Sequence, residues 1–207
     1  MTVIRPPVIC AITKVGDNAL LDNVTTALKS GVRWIQYRQK LKSRRQMYNE
    51  VLEIRKVIND FGAILTVNDH IDIAMAVGAD FVHLGQDDIP LQEARKIIPR
   101  GMGVGISTHN LDEVLSAVSG GADYIGFGPI FHTNTKDAGL PKGIDALKGI
   151  CQMVNIPVIA IGGIDASNIS GMKNISKLCG VAISSGIFDG DIAKNVKTLT
   201  QRYIIER

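Results

Sequence analysis

Apolar residues cluster in eight short runs along the chain: Val8–Thr13, Val32–Arg38, Ala63–Asn68, Phe81–Gly85, Gly103–Ser107, Asp123–Ile130, Pro157–Gly163 and Gly180–Ser185. Hydrophobicity within each run is nearly continuous rather than alternating. Strands covered on both faces read this way, as parallel strands under helices do. Between the runs the period becomes helical. Asn18–Ser30 sets Leu20, Leu21, Val24 and Leu28 on one stripe, and Ser43–Asp60 does so with Met47, Val51, Ile54, Val57 and Ile58. Further helices are expected over His70–Val77, Leu91–Ile98, Leu111–Ser119, Ile144–Met153, Ser167–Leu178 and Ile192–Tyr203. Ser43 and Asn110 are placed to cap helix N-termini, and Gly31 and Gly120 to end helices.

Eight alternations of strand and helix predict an α/β protein, a single-domain (β/α)8 TIM barrel over residues 1–207. The rival is an open doubly wound sheet, which would carry Gly-x-Gly-x-x-Gly after its first strand. The turn from Thr13 to Gly16 has no such pattern. No linker or low-complexity stretch divides the chain, and 207 residues bury one sizeable core rather than two.

Composition narrows the function. The net charge of +3 gives no footprint for nucleic acid or an acidic membrane surface. Cys10, Cys151 and Cys179 are too few and too scattered for a disulfide framework or a zinc site, which points to the reducing cytoplasm. The start of the chain, through Pro7, is too short and broken for a signal peptide, and no apolar run approaches a membrane span. Small-molecule substrates are the expected partners, and the sequence is compatible with a homo-oligomer.

A barrel of this class works at the C-terminal ends of its strands, so polar residues should gather there. They do: Gln36, Arg38 and Lys40 after strand two, Asn68 and Asp69 after three, and Gln86, Asp87 and Asp88 after four. Ser107 follows at five, Thr133, Thr135 and Lys136 at six, Gly162 and Gly163 at seven, and Ser184 and Ser185 at eight. Arg38 and Lys40 lie two apart on an extended segment and so point the same way, which suits a di- or triphosphate. The alternative is a solvated basic loop, since Lys42, Arg44 and Arg45 follow.

Asp69 and Asp88 end adjacent strands. Two carboxylates with open positions for water and phosphate suit Mg2+. Their alternative role is to cap the next helices, and Asp87 is a substitute for Asp88. Glycines and serines after strands seven and eight match the usual phosphate cradle of these barrels, although a tight turn also explains Gly162-Gly163. His70, His83, His109 and His132 lack the spacing of a metal set, and His83 reads as a satisfied core residue. Two phosphate sites follow: a metal-assisted pyrophosphate site at strands two to six and a monophosphate cradle at seven and eight.

The stretches Gln36–Lys40, Val67–Asp69, Val82–Asp88, Gly105–Ser107, Gly126–Lys136 and Ile159–Ile164 resemble, in order and spacing, the thiamine-phosphate synthase family over nearly the whole chain. The family joins an aminopyrimidine methyl diphosphate to a thiazole phosphate and releases pyrophosphate. The resemblance implies that Gln36, Arg38 and Lys40 hold the pyrimidine and its diphosphate, and that Asn68 contacts the diphosphate. It implies that Asp69 and Asp88 bind magnesium, and that Ser107 and Lys136 hold the leaving group. Thr133 and Thr135 would lie between the substrates, with Gly163, Ser184 and Ser185 on the thiazole phosphate. Two departures stand out: His70 where the family usually has Arg, and Ser184 where it often has an aliphatic residue. Rival readings are a thiazole tautomerase-like relative, a sugar-phosphate isomerase or aldolase, and a non-catalytic phosphate-ligand-binding barrel.

Overall fold

The computed structural model describes residues 3–133 and 139–205. Eight parallel strands close into a barrel in chain order, with β1 (Val8–Ile12) pairing both β2 (Trp34–Tyr37) and β8 (Leu178–Ile183). Between them run β3 (Ile64–Asn68), β4 (Phe81–Leu84), β5 (Gly103–Thr108), β6 (Tyr124–Phe127) and β7 (Val158–Ile161). The expected (β/α)8 architecture is therefore observed, with each strand within three residues of its apolar run at either end.

The near-continuous hydrophobicity has a simple origin: the strands feed two cores. Outward residues such as Ile35, Leu65, Val67, Val82, Val104 and Ile125 pack under the helices in one large cluster. Inward residues form a second cluster inside the barrel, including Cys10, Ile12, Trp34, Phe81, Tyr124 and Ile159. Three aromatics fill the interior. Trp34 and Tyr124 meet edge-on with centroids 5.1 Å apart, and Phe81 lies 5.6 Å from Tyr124. The small residues of β5 make room for them. A Cβ added at Gly103 would come within 2.3 Å of Phe81, and one at Gly105 within 2.1 Å of Tyr124.

The helices are α1 (Leu20–Lys29), α2 (Arg44–Phe61), α3 (Ile71–Ala76), α4 (Leu91–Ile97), α5 (Leu111–Ser119), α6 (Gly143–Met153), α7 (Ser185–Phe188) and α8 (Ile192–Thr200). Ser43 caps α2 in a full capping box with Gln46, and the Asn110 side chain accepts from Glu113 N–H to cap α5. Gly31 and Gly121 take the left-handed conformation after α1 and α5. Gly120 is the last, still right-handed, residue of α5's end rather than the left-handed one.

One expected helix is corrected. Ser167–Leu178 forms only a 3-10 turn at Ile169–Met172, and Leu178 already belongs to β8. Asp165 and Asn168 exchange side-chain hydrogen bonds with the backbone there: Ser167 N–H donates to Asp165, and Asp165 N–H to Asn168. Local bonds of this kind compete with helix propagation. The four-residue α7 was not expected, because it is too short to show a period. Among the described residues no helix is long and apolar enough to cross a membrane.

Candidate active site

The strand ends at one rim of the barrel enclose a pocket. It brings together Gln36, Arg38 and Lys40 from β2, Asn68 and Asp69 from β3, and Ser107 from β5. Thr133 follows β6, Gly163 follows β7, and Ser184 and Ser185 follow β8 on the far wall. Of the strand-end candidates among the described residues, Gln86, Asp87 and Asp88 after β4 do not line this pocket. Thr135 and Lys136 lie outside the described residues.

Parity along the strands explains the convergence. Trp34 and Gln36 face inward on β2, so Arg38, two residues on, continues the same side. The β2 end is pinned to β1: Thr13 Oγ1 accepts from Arg38 N–H at 2.9 Å, and Thr13 N–H donates to Gln36 O at 3.0 Å. Gln39 is buried and accepts from the Lys40 and Leu41 amides, which turns the chain sharply after Arg38.

Asp69 has a left-handed backbone, φ 64°, uncommon for a residue other than glycine. Its N–H donates to His83 O at 2.8 Å, anchoring the turn to β4. Its carboxylate is contacted by two neighbours, the Lys40 ammonium and the Asn68 side-chain amide. Backbone strain of this kind gathers at functional sites.

Asp88 lies just behind Asp69. Its carboxylate accepts from Gly85 N–H at 2.7 Å, which ties it to the end of β4. Its carboxyl is held above the ordinary carboxylate range, first by burial and then by the charge and hydrogen bonding of Asp69; the Gly85 amide and the Lys40 charge pull the other way. The two carboxylates follow adjacent, paired strands, β3 and β4. Neither caps a helix: the residues at the α3 and α4 N-cap positions are His70 and Pro90, without side-chain caps. Asp87, the substitute, is exposed. No group of three or more His, Cys, Asp or Glu that could hold a metal occurs among the described residues. The donor set is two hard carboxylates with room for water and phosphate oxygens, which fits Mg2+ and does not fit zinc.

The far wall has the features of an anion cradle. Gly162 and Gly163 have φ of 97° and 65°, and a Cβ at Gly163 would lie 2.3 Å from His132 O. The turn therefore requires glycine for its conformation and its close packing. Asn168 donates to Gly163 O at 2.8 Å and holds the turn in place. Ser184 Oγ is buried without a hydrogen-bond partner, although it lines the pocket. A buried hydroxyl left unpaired costs about 1–3 kcal/mol, and a bound anion would relieve it.

His83 is 5% exposed and satisfied at both ring nitrogens, as expected for a core histidine. It also lines the pocket and contacts Ser107, which the sequence reading did not anticipate. Gln86 likewise secures Ser107, donating to its carbonyl at 2.6 Å.

Comparisons with known proteins place the barrel in a family. Residues 8–187 match the family model described as thiamine monophosphate synthase. The chain is 40% identical over 180 residues to the thiamine-phosphate synthase of Caldicellulosiruptor saccharolyticus, covering 86% of this chain and 81% of that one. It is 46% identical over 169 residues to the thiamine-phosphate synthase of Chloroflexus aurantiacus, covering 81% and 77%. Among solved structures it superposes on a thiamine phosphate pyrophosphorylase from Pyrococcus furiosus with a TM-score of 0.87 at 32% identity, covering 95% of each chain. The match spans nearly the whole barrel, both walls of the pocket included, and the chain belongs to the thiamine monophosphate synthase family.

Proposed function

We propose that this chain is, as one catalytic domain, a cytoplasmic thiamine-phosphate synthase. It joins 4-amino-2-methyl-5-pyrimidinylmethyl diphosphate to a thiazole phosphate, giving thiamine phosphate and pyrophosphate. The observation that carries the reading is the two-walled pocket. Arg38, Lys40, Asn68, Asp69 and Ser107 stand on one wall, backed by Asp88, and Gly163, Ser184 and Ser185 on the other. One wall suits a diphosphate with a metal; the other suits a single phosphate.

In this reading Gln36 orients the pyrimidine. Arg38, Lys40, Asn68 and Ser107 hold the diphosphate, with Lys136 joining them, and Gly163, Ser184 and Ser185 hold the thiazole phosphate. Asp69 and Asp88 would hold Mg2+, which when bound offsets the negative charge of the departing diphosphate. The C–O bond to the diphosphate breaks with its electron pair leaving on oxygen. The pyrimidine amino group donates electron density to the methylene carbon, and the thiazole nitrogen lone pair, steered past Thr133 and Thr135, forms the new C–N bond. No protein nucleophile or base takes part, so positioning and electrostatics supply the rate.

The absence of a strand lysine supports this over an aldolase reading. None of β1–β8 carries a lysine to form a Schiff base. All three cysteines are free and buried, in keeping with a reducing compartment. The test is incubation with both substrates and Mg2+, following pyrophosphate release and thiamine phosphate together. Equal amounts of both are expected. Pyrophosphate without thiamine phosphate, or neither product, would contradict the reading.

A further inference from the structure

A chain of buried polar groups runs up the inside of the barrel to the pocket. Trp34 Nε1–H donates to Thr66 Oγ1 at 2.8 Å. Tyr124 OH lies 2.9 Å from His83 Nδ1, and His83 Nε2 lies 2.9 Å from Ser107 Oγ. The register places the members in one layer system: Gln36 opposite Thr66, His83 opposite Gly105, and Gly105 opposite Tyr124. Gly105 has no Cβ because the Tyr124 ring occupies that space.

The direction of each hydrogen bond follows from counting donors. An indole N–H only donates, so Thr66 Oγ1 accepts from Trp34 and its own hydrogen is free to donate. Burial keeps the Tyr124 phenol protonated, and its hydroxyl meets His83 Nδ1 at 2.9 Å. A phenol is the stronger donor of this pair and an unprotonated imidazole nitrogen the stronger acceptor, so the phenol hydrogen has His83 Nδ1 as its acceptor. A neutral imidazole that accepts at Nδ1 carries its hydrogen on Nε2. Nε2–H then donates to Ser107 Oγ, and the hydroxyl hydrogen of Ser107 is left for the pocket.

We propose that His83 is a positioning residue: Tyr124 holds it in the Nε2–H tautomer, and in that form it turns the Ser107 hydroxyl into a hydrogen-bond donor toward the diphosphate leaving group. The opposite tautomer would draw the Ser107 hydrogen onto Nε2 and present oxygen lone pairs to an anion. The inference rests on the proposed function for its ligand, but its tautomer claim does not. Donors aimed at a developing oxyanion act through preorganisation, so fixing the hydroxyl before substrate arrives is where the rate gain lies.

The experiment reads the histidine nitrogens of the ligand-free protein by 15N NMR, with His83 assigned by comparison with His83→Gln. A protonated Nε2 and an unprotonated Nδ1 are expected. Tyr124→Phe keeps the ring against Trp34 and removes the hydroxyl. It should abolish the single tautomer and lower kcat on the order of 10–100-fold, as loss of orienting outer partners does elsewhere, with KM for the thiazole phosphate unchanged. Ser107→Ala combined with Tyr124→Phe should cost no more than Ser107→Ala alone. An Nδ1–H or doubly protonated His83 in the wild type overturns the proposal, as does a folded Tyr124→Phe with wild-type kcat. Because the tautomer is read without substrate, an Nε2–H imidazole in a protein that makes no thiamine phosphate supports the relay and overturns the proposed function alone.

Discussion

The carboxyl of Asp88 is pushed above its ordinary range by burial and by the negative charge of Asp69, whose own carboxylate is ion-paired to Lys40 from 29 residues earlier in the chain. The charge of Asp69 disfavours a second negative charge on Asp88, while that of Lys40 favours it. A divalent cation offsets the repulsion, and so does a proton.

The pH dependence of stability follows from this. A carboxyl whose pKa is raised in the folded state binds its proton there at a pH where the unfolded chain has already lost it. The stabilisation is full below the ordinary carboxylate value and is lost as pH rises through the raised folded value. The thermal midpoint of the metal-free protein should therefore fall over that window, and Asp88→Asn should flatten the fall. Melting curves of both proteins against pH check this; an identical slope in the variant would contradict it.

Ser184 provides a prediction of opposite signs. Its hydroxyl is buried without a partner, so Ser184→Ala should raise stability by about 1 kcal/mol by removing an unsatisfied group. If the hydroxyl binds the thiazole phosphate, the same variant should raise KM for that substrate about tenfold, the equivalent of one hydrogen bond to a charged group. Denaturant unfolding and steady-state kinetics together test the pair, and an unchanged KM would remove Ser184 from the cradle.

Gly163→Ala addresses the backbone of the same wall. A side chain there meets φ 65° and a carbonyl oxygen at 2.3 Å. The turn must shift, so thiazole phosphate affinity should drop on the order of tenfold or more even where the protein folds, since the strain is local and of order 1–3 kcal/mol. Calorimetric titration with the thiazole phosphate measures it; wild-type affinity would show that the turn does not shape the site.

The cysteines should be inert. Burial pushes the Cys10 thiol strongly up, and those of Cys151 and Cys179 up to about 11. Alkylating reagents should leave the native protein unmodified at neutral pH and label it only on unfolding. Mass spectrometry of treated native protein decides this.

Much of the fold is legible in the sequence itself. The run lengths and their continuous hydrophobicity specified a parallel barrel, because both faces of every strand are covered by the two cores. Position at strand ends brings Arg38, Lys40, Asn68, Asp69 and Ser107 to one pocket, because barrel topology turns that position into proximity. His83 was placed in the core correctly, yet its contact with Ser107 was missed. That contact depends on which strand faces which, and only the register supplies it: two residues after inward Phe81, His83 must also face inward. The stretch from Ser167 to Leu178 misled for a different reason. Ile169, Met172, Ile175 and Leu178 repeat every three residues, which suits a helix, but Asn168, Gly171 and Asn174 between them favour turns. Asp165 and Asn168 take the backbone bonds that a helix would need.

The central claim is that Asp69 and Asp88 share one divalent cation beneath a diphosphate. The direct measurement is turnover as a function of Mg2+ concentration for the wild type, Asp69→Asn and Asp88→Asn. The wild type should be saturable in Mg2+, and each variant should lose on the order of 10²–10³-fold in kcat/KM, as removal of a group that stabilises developing charge does, with its fold intact by circular dichroism. Both variants turning over at the wild-type rate with the same Mg2+ dependence would contradict the account.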